Sequence, residues 1–194
     1  MKLFLATGNQ HKIEEMEKIL ADTDIEILSK NDIETMPEVI EDQDTFTGNS
    51  LKKAREIAEY IGMSTIADDS GLVVKALNGQ PGVYSARFAG ENATDQENNQ
   101  KLLKLLKDTP LAEREAYFIC AMAFVSGDGQ EYTVTGKCHG YITFEPQGEE
   151  GFGYDPLFIP NGYEKSFAQL GSGVKNKISH RAKALDKMKN ILIK

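Results

Sequence analysis

Apolar positions along the chain switch repeatedly between a period of two and a period near 3.6, and the switches outline its elements. "KLFLA" (2–6) reads as a short buried strand, and "TGNQHK" turns from it into an amphipathic helix with Ile13, Met16, Ile19 and Leu20 on one face. "DIEIL" (24–28) alternates as a strand, whereas 31–48 is polar and irregular and predicts a long loop. A helix is expected over 49–62, with Leu51, Ala54, Ile57, Ala58 and Ile61 inward and Gly62 as its C-terminal cap. "TIAD" and "LVVKAL" are strand-like, with an acidic turn expected between them. Thr94 followed by Glu97 forms a capping box opening a helix over 94–107. "REAYFICAMAFVS" and "QEYTVTGKCHGYITF" are strands joined by "GDG", a hairpin signal. "DPLFIP" is a further short strand, and a closing helix follows over 179–193 with Ser179 as its expected N-cap. Helices and strands interleave around one antiparallel hairpin, so the expected fold class is α/β with a mixed sheet.

Composition narrows this to one domain spanning 1–194, with room for two lobes and a real core, since 40% of the 194 residues are apolar. The longest apolar run, near "ICAMAFV", is too short for a membrane span, and "MKLFLATGN" is too briefly apolar for a signal peptide. A cytoplasmic location is therefore expected. Cys120 and Cys138 fit no zinc spacing and are expected to be reduced core residues. The formal charge is −8, from 22 basic and 30 acidic residues, and no basic tract is present. That argues against a nucleic-acid partner but leaves room for a small polyanion held by local cations or a metal.

Three stretches offer such chemistry. In "LATGNQHK" a strand runs into Thr7, Gly8 and Asn9 and then a helix; main-chain N–H groups at such a turn bind phosphate oxygens, and Lys12 adds a cation. An ordinary strand–helix turn with Thr as a cap would read the same way. "ADDSG" sets Asp68 beside Asp69 between apolar flanks, a costly arrangement unless a metal or a proton compensates the carboxylates. Paired acids suit Mg2+, which takes hard oxygen ligands, and one of them can accept a proton from water. An exposed turn would be the plainer account. Glu38, Glu41, Asp42 and Asp44 crowd the long loop, and one of them reaching the same ion is a reasonable expectation. "EEGFGYDP" joins glycine turns to two aromatics and an acid, and "GVKNKISHRAKAL" gathers Lys175, Lys177, His180 and Arg181 about a helix start. Aromatic faces stack on bases and cations hold phosphates, although a buried turn and a solvated basic face fit too.

Taken in order, "LATGNQHK", "DTFTGNSLKKA", "IADDSGLVV", "PGVYSARFAG", "ATDQENNQKLL", "GFGYDP" and "ISHRAKAL" resemble the inosine triphosphatase family, the dITP/XTP pyrophosphatases. The resemblance covers nearly the whole chain. It implies an elongated α/β fold with a long central mixed sheet, a nucleotide cleft between two lobes, a homodimer, and hydrolysis of ITP, dITP and XTP to the monophosphate and pyrophosphate. By motif, Thr7, Gly8, Asn9, Gln10, His11, Lys12 and Lys53 would hold the triphosphate. Glu41 and Asp69 would bind Mg2+; Asp69 would also accept the proton, with Asp68 beside it as a second catalytic carboxylate. Ser70 would touch the substrate, and Phe152, Gly153, Tyr154, Asp155, Lys175, His180 and Arg181 would form the base and sugar side. The chain departs from the family pattern at Gly48, where an acid usually precedes Asn49, and in "AQLGSGVKNK", whose glycines leave Lys175 and Lys177 as alternatives for the substrate-facing cation. A hydrolase of modified pyrimidine nucleotides and a non-catalytic nucleotide-binding module are the competing classes. A glycosidase is disfavoured because adjacent strand residues point to opposite faces and nothing offers a sugar platform.

Overall fold

The structure is a computed structural model and describes residues 1–33 and 35–193; Glu34, within the expected loop, and Lys194 lie outside the described residues. The elements are β1 (Lys2–Leu5), α1 (Gln10–Leu20), β2 (Glu26–Leu28), α2 (Phe46–Ile61), β3 (Thr65–Val74), α3 (Asp95–Leu105), β4 (Glu115–Val125), β5 (Glu131–Ile142), β6 (Phe158–Pro160), α4 (Phe167–Ile178) and α5 (His180–Leu192). The six strands form one sheet in the order β2-β1-β3-β4-β5-β6. β1 pairs in parallel with β2 and β3, while β5 and β6 are antiparallel, so the sheet is mixed as expected.

Several local signals act as read. Gly62 ends α2 at φ 68°, its N–H bonded to the Ala58 carbonyl. Thr94 and Glu97 make the capping box of α3. α2 begins three residues earlier than the apolar pattern predicts, because the Thr45 hydroxyl accepts the Gly48 N–H and starts the helix at Phe46. The acidic turn expected at 68–71 does not exist: residues 65–74 are one continuous strand, mostly buried along its length. The apolar pattern does not predict α4, because Gly171 and Gly173 mask its helical period; Gly171 interrupts it at φ 73°. The readable signal is Ser166 with Gln169, a capping box that opens this helix. Ser179 falls between α4 and α5, where its N–H closes α4 on the Lys175 carbonyl.

The chain divides into two compact units, Met1–Asp69 with Cys120–Gly136 and Arg181–Lys194, and Ser70–Ile119 with Lys137–His180. In the first, the period of two along each strand builds two cores. Leu3, Leu5, Ile66, Cys120, Met122 and Phe124 pack with Ile13, Met16 and Leu20 of α1 and Ala184, Leu185 and Met188 of α5. Phe4, Ala6, Ala67, Ala123 and Val125 pack with Ala54 and Ile57 of α2. The second unit has its own core, including Leu72, Val74, Leu102, Phe118, Ile142, Phe158 and Phe167. Buried Arg114 there donates to the carbonyls of Leu106, Thr109 and Thr143 at 2.6, 2.9 and 2.8 Å, so each of its guanidinium nitrogens has a partner. Cys120 and Cys138 are buried free thiols.

Candidate active site

In the first unit the strand alternation that builds the two cores also separates the two acids. Ile66 belongs to the α1/α5 side and Ala67 to the α2 side. Asp68 therefore falls with Ile66, and Asp69 with Ala67. The carboxylates lie on opposite faces of the strand, each with its own surroundings.

Asp68 is fully buried. Lys12 of α1 lies 3.0 Å from its Oδ2, and the Arg181 guanidinium of α5 donates to the same oxygen at 3.2 Å. Arg181 in turn pairs with buried Glu15. Burial alone would raise the Asp68 pKa, but the charges of Lys12, then Arg181, then Lys53 overcome it and hold the carboxyl well below its ordinary range. Asp69, only 6% exposed, is different. Its Oδ2 accepts from the Asn49 amide of α2 at 2.9 Å. Burial, reinforced by the charge of Glu41, pushes its pKa up to about 6 against the pull of Asn49, Lys12 and Lys53. Lys53 of α2 makes an ion pair with Glu41. A buried carboxylate with a raised pKa lies beside a second acid and two lysines.

The turn from β1 to α1 adjoins this group, because β1 pairs in parallel with β3 through Leu5 and Ile66 and both chains run on from there. Ligands in α/β sheets gather at such carboxyl ends of parallel strands. Asn9 is the N-cap of α1, its side chain accepting from the N–H groups of His11 and Lys12, and the Thr7 hydroxyl accepts the Asn9 N–H. Gly8, Asn9, Gln10 and His11 are exposed, and a Cβ added at Gly8 would meet nothing within 4 Å. Lys30 donates to the Gly8 carbonyl at 2.9 Å.

The second unit holds the other predicted residues. Asp155 accepts the Phe152 N–H at 3.0 Å and the Lys175 ammonium at 2.6 Å on the same Oδ2. That ammonium lies 4.3 Å from the centre of the Phe152 ring. Gly151 is required here: its φ is +84°, and an added Cβ would stand 2.2 Å from Asp155 Oδ2. The Tyr154 hydroxyl donates to the Ser85 carbonyl at 2.8 Å. His180 stacks on Phe118, ring centres 4.8 Å apart and 13° from coplanar. Lys175 is buried and Lys177 exposed, so the cation that meets Phe152 and Asp155 is Lys175. Ser70, half-buried, follows Asp69 on β3.

The structure thus brings Lys12, Lys53, Glu41, Asp68, Asp69 and Arg181 into one charged group, and Phe152, Asp155 and Lys175 into another. The resemblance groups Arg181 with Lys175 and His180, but its guanidinium bonds to Asp68 and Glu15. Glu15 and Asn49 are site residues that sequence reasoning does not single out. Glu15 carries a signal, a carboxylate one position from the apolar Met16 on an otherwise buried helix face; Asn49 carries one as the polar residue opening the buried face of α2.

Comparison with known proteins finds relatives over nearly the whole chain. The profile of the Ham1 family matches residues 3–191. A dITP/XTP pyrophosphatase of Thermoanaerobacter pseudethanolicus is 48% identical over 194 residues, covering 100% of this chain and 98% of that protein. One from Opitutus terrae is 47% identical over 192 residues, covering 95% of each. Among solved structures, a HAM1 protein from Coxiella burnetii superposes with a TM-score of 0.90 at 37% identity, over 100% of this chain and 98% of that one. The Ham1 protein of Staphylococcus aureus does so at 0.88 and 37%, over 99% and 98%.

Proposed function

The chain belongs to the Ham1 family, and from that premise we propose that it hydrolyses non-standard purine nucleoside triphosphates (ITP, dITP and XTP) to the nucleoside monophosphate and pyrophosphate. The observation that carries the reading is the division of labour between adjacent carboxylates. Asp68 is neutralised by Lys12 and Arg181, while Asp69 is left with a pKa of about 6. A general base works best with a pKa near the working pH, and Asp69 meets that condition. Asp69 accepts a proton from the attacking water as a phosphoanhydride bond breaks and pyrophosphate separates. Asn49 orients its carboxylate by the bond at Oδ2. Asp68 acts differently, anchoring the Lys12 ammonium and the Arg181 guanidinium at the turn that receives phosphate. Lys12 and Lys53, with the Gly8 and Gln10 N–H groups of the turn, neutralise the triphosphate, which is the main requirement of phosphoryl chemistry.

The same residues fit Mg2+. The charge of Glu41 raises the cost of ionising Asp69, and these two hard oxygen donors would hold a dication that offsets that cost. Mg2+ takes one or two carboxylates and completes its shell with phosphates and water, so Asp69 and Glu41 would be enough to hold it. When bound, the ion would supply charge neutralisation on the phosphates. Gly48 does not add a ligand: a Cβ there would stand 2.9 Å from Gln43 Cβ, so the loop ahead of α2 closes over the place where relatives of the inosine triphosphatase pattern carry an acid.

Phe152, Tyr154, Asp155, Lys175 and His180 take the base and sugar, with Phe152 offering a stacking face. Donors aimed at a 6-keto oxygen leave adenine's amino group facing a donor, and an unmade buried bond of that kind discriminates strongly. The family resemblance adds a homodimer working on the cytoplasmic nucleotide pool; light scattering tests the first. No helix among the described residues is long and apolar enough to cross a membrane.

The test is pyrophosphate release from dITP, XTP, dGTP, dATP and dUTP, each with Mg2+ and with EDTA. Mg2+-dependent turnover of dITP and XTP well above the others is the expected result. Preference for dUTP would move the chain to the pyrimidine hydrolases, and tight binding without turnover would make it a regulatory module.

A further inference from the structure

The loop assigned to the base is tied at four successive residues, and one of the ties comes from a helix that carries no role in the reading above. Phe152 is held through its N–H by Asp155, Tyr154 through its hydroxyl by Ser85, and Asp155 by Lys175. Gly153, between them, is gripped on both of its peptide groups by α3. Its N–H donates to Asp95 Oδ2 at 2.6 Å, and its carbonyl accepts from Asn99 Nδ2 at 3.0 Å. Asp95 and Asn99 stand four residues apart, on one helix face. α3 is itself anchored: Asn98 accepts the Ala89 N–H at 2.7 Å and donates to the Ala86 carbonyl at 3.0 Å.

Asn99 reveals what this grip is for. The residue is 8% exposed, and its Oδ1 is a buried oxygen with no hydrogen-bond partner among the described residues. A buried acceptor left unmade costs at least as much as one ordinary hydrogen bond contributes. Asn99 therefore adds little net stability, although an apolar side chain would fill the same place without that cost. What it does supply is direction, a fixed position for the Gly153 carbonyl. Gly153 has φ +60° and no side chain to wedge it, so nothing intrinsic to the residue would hold its two peptide planes.

We propose that Asp95 and Asn99 are positioning residues for base selection: together they clamp Gly153 by its N–H and C=O, and thereby set where Phe152 and Tyr154 stand against the purine. The proposal rests on the assignment of residues 152–155 to the base. The clamp acts on binding of the base and not on the proton transfer at Asp69, so its loss should appear in KM and in selectivity before it appears in kcat. Asp95→Asn keeps an oxygen that can accept the Gly153 N–H, whereas Asp95→Ala does not. Asn99→Leu removes the donor, and Asn99→Asp sets a carboxylate against the Gly153 carbonyl.

The experiment measures kcat and KM for dITP and dGTP in the full-length chain and these four variants, with melting temperature and amide hydrogen exchange at Gly153 recorded beside them. Asp95→Ala and Asn99→Leu are expected to raise KM for dITP on the order of tenfold, to leave kcat within about threefold, and to narrow the dITP to dGTP preference. Gly153 exchange should accelerate in Asp95→Ala. Asp95→Asn should recover most of the KM and exchange effects, and Asn99→Asp should recover none. If wild-type protein turns over dITP while the Ala and Leu variants keep its KM and its preference, the clamp is refuted and the activity stands. The clamp also fails if Asp95→Asn is no better than Asp95→Ala, or if KM merely follows melting temperature. Wild-type protein inert on every nucleotide would overturn the proposed activity and the selectivity role with it; intact Gly153 protection in Asp95→Ala would overturn the clamp alone.

Discussion

Replacing Asp69 by Asn should make the metal-free protein more stable while removing most of its turnover. The carboxyl has a pKa of about 6 in the fold against an ordinary value of 3.8, chiefly because it is buried. A raised acid pKa means that the folded state holds the proton more tightly than the unfolded state. Stability is then lost as pH rises from about 4 to about 6, and stays lost above. The shift of roughly two units corresponds to about 3 kcal/mol at neutral pH. Asn carries no charge, and its side-chain oxygen can still accept the Asn49 amide, so the variant escapes this penalty. For a chain of this size the gain should appear as about 6–12 °C in melting temperature. Thermal melts and urea titrations of both proteins in EDTA, from pH 4.5 to 8.5, provide the assay. The two curves should approach each other at the acid end, separate as pH rises to about 6 and keep a constant gap above it, with the variant higher. Turnover of dITP should fall roughly 10²–10⁴-fold in the variant, the usual cost of losing a general base. A variant less stable than wild type at pH 8 in EDTA, or a stability difference that does not change with pH, would refute the claim that the ionised Asp69 carboxylate is held at a cost.

Asp68→Asn should have the opposite sign. It removes a buried anion from Lys12 and Arg181 and should cost about 3–5 kcal/mol at pH 8. Because the folded pKa is depressed, that contribution exists above the unfolded value and fades as pH falls below about 4, so the deficit in urea unfolding should narrow there; a deficit equal at pH 3 and pH 8 would contradict it. Gly151→Ala should force the loop off Asp155, since the new Cβ would meet Oδ2 at 2.2 Å, and should raise KM for dITP more than tenfold, with kcat less affected. An unchanged KM would separate the Asp155–Lys175 contact from substrate binding.

Much of this protein could be read along the chain. The strand at 2–5, the cap at Gly62, the Thr94–Glu97 box and the ordered motifs rest on neighbours a few residues apart, and local rules suffice for them. The misreadings have local causes too. "ADDSG" looks like a turn because acids and glycine favour turns, yet β3 runs through it since Lys12 and Arg181 make a buried Asp68 tolerable. α4 is hidden by two glycines whose helix-breaking bias its capping box and buried face override.

By itself the sequence determined the α/β class, the succession of elements and the candidate residues, because periodicity, caps and motif order are properties of short stretches. Only the tertiary structure decided which of two adjacent carboxylates is neutralised and which keeps a raised pKa, which of two lysines meets Asp155, and that Arg181 serves Asp68. The potential at a carboxylate is a sum over charges within a few ångströms, and those charges come from distant positions: Arg181 lies 113 residues from Asp68. Asp68 and Asp69 are neighbours in the chain, but the pleat of β3 turns one toward α1 and α5 and the other toward α2, and that geometry separates the neutralised carboxylate from the one whose pKa is raised.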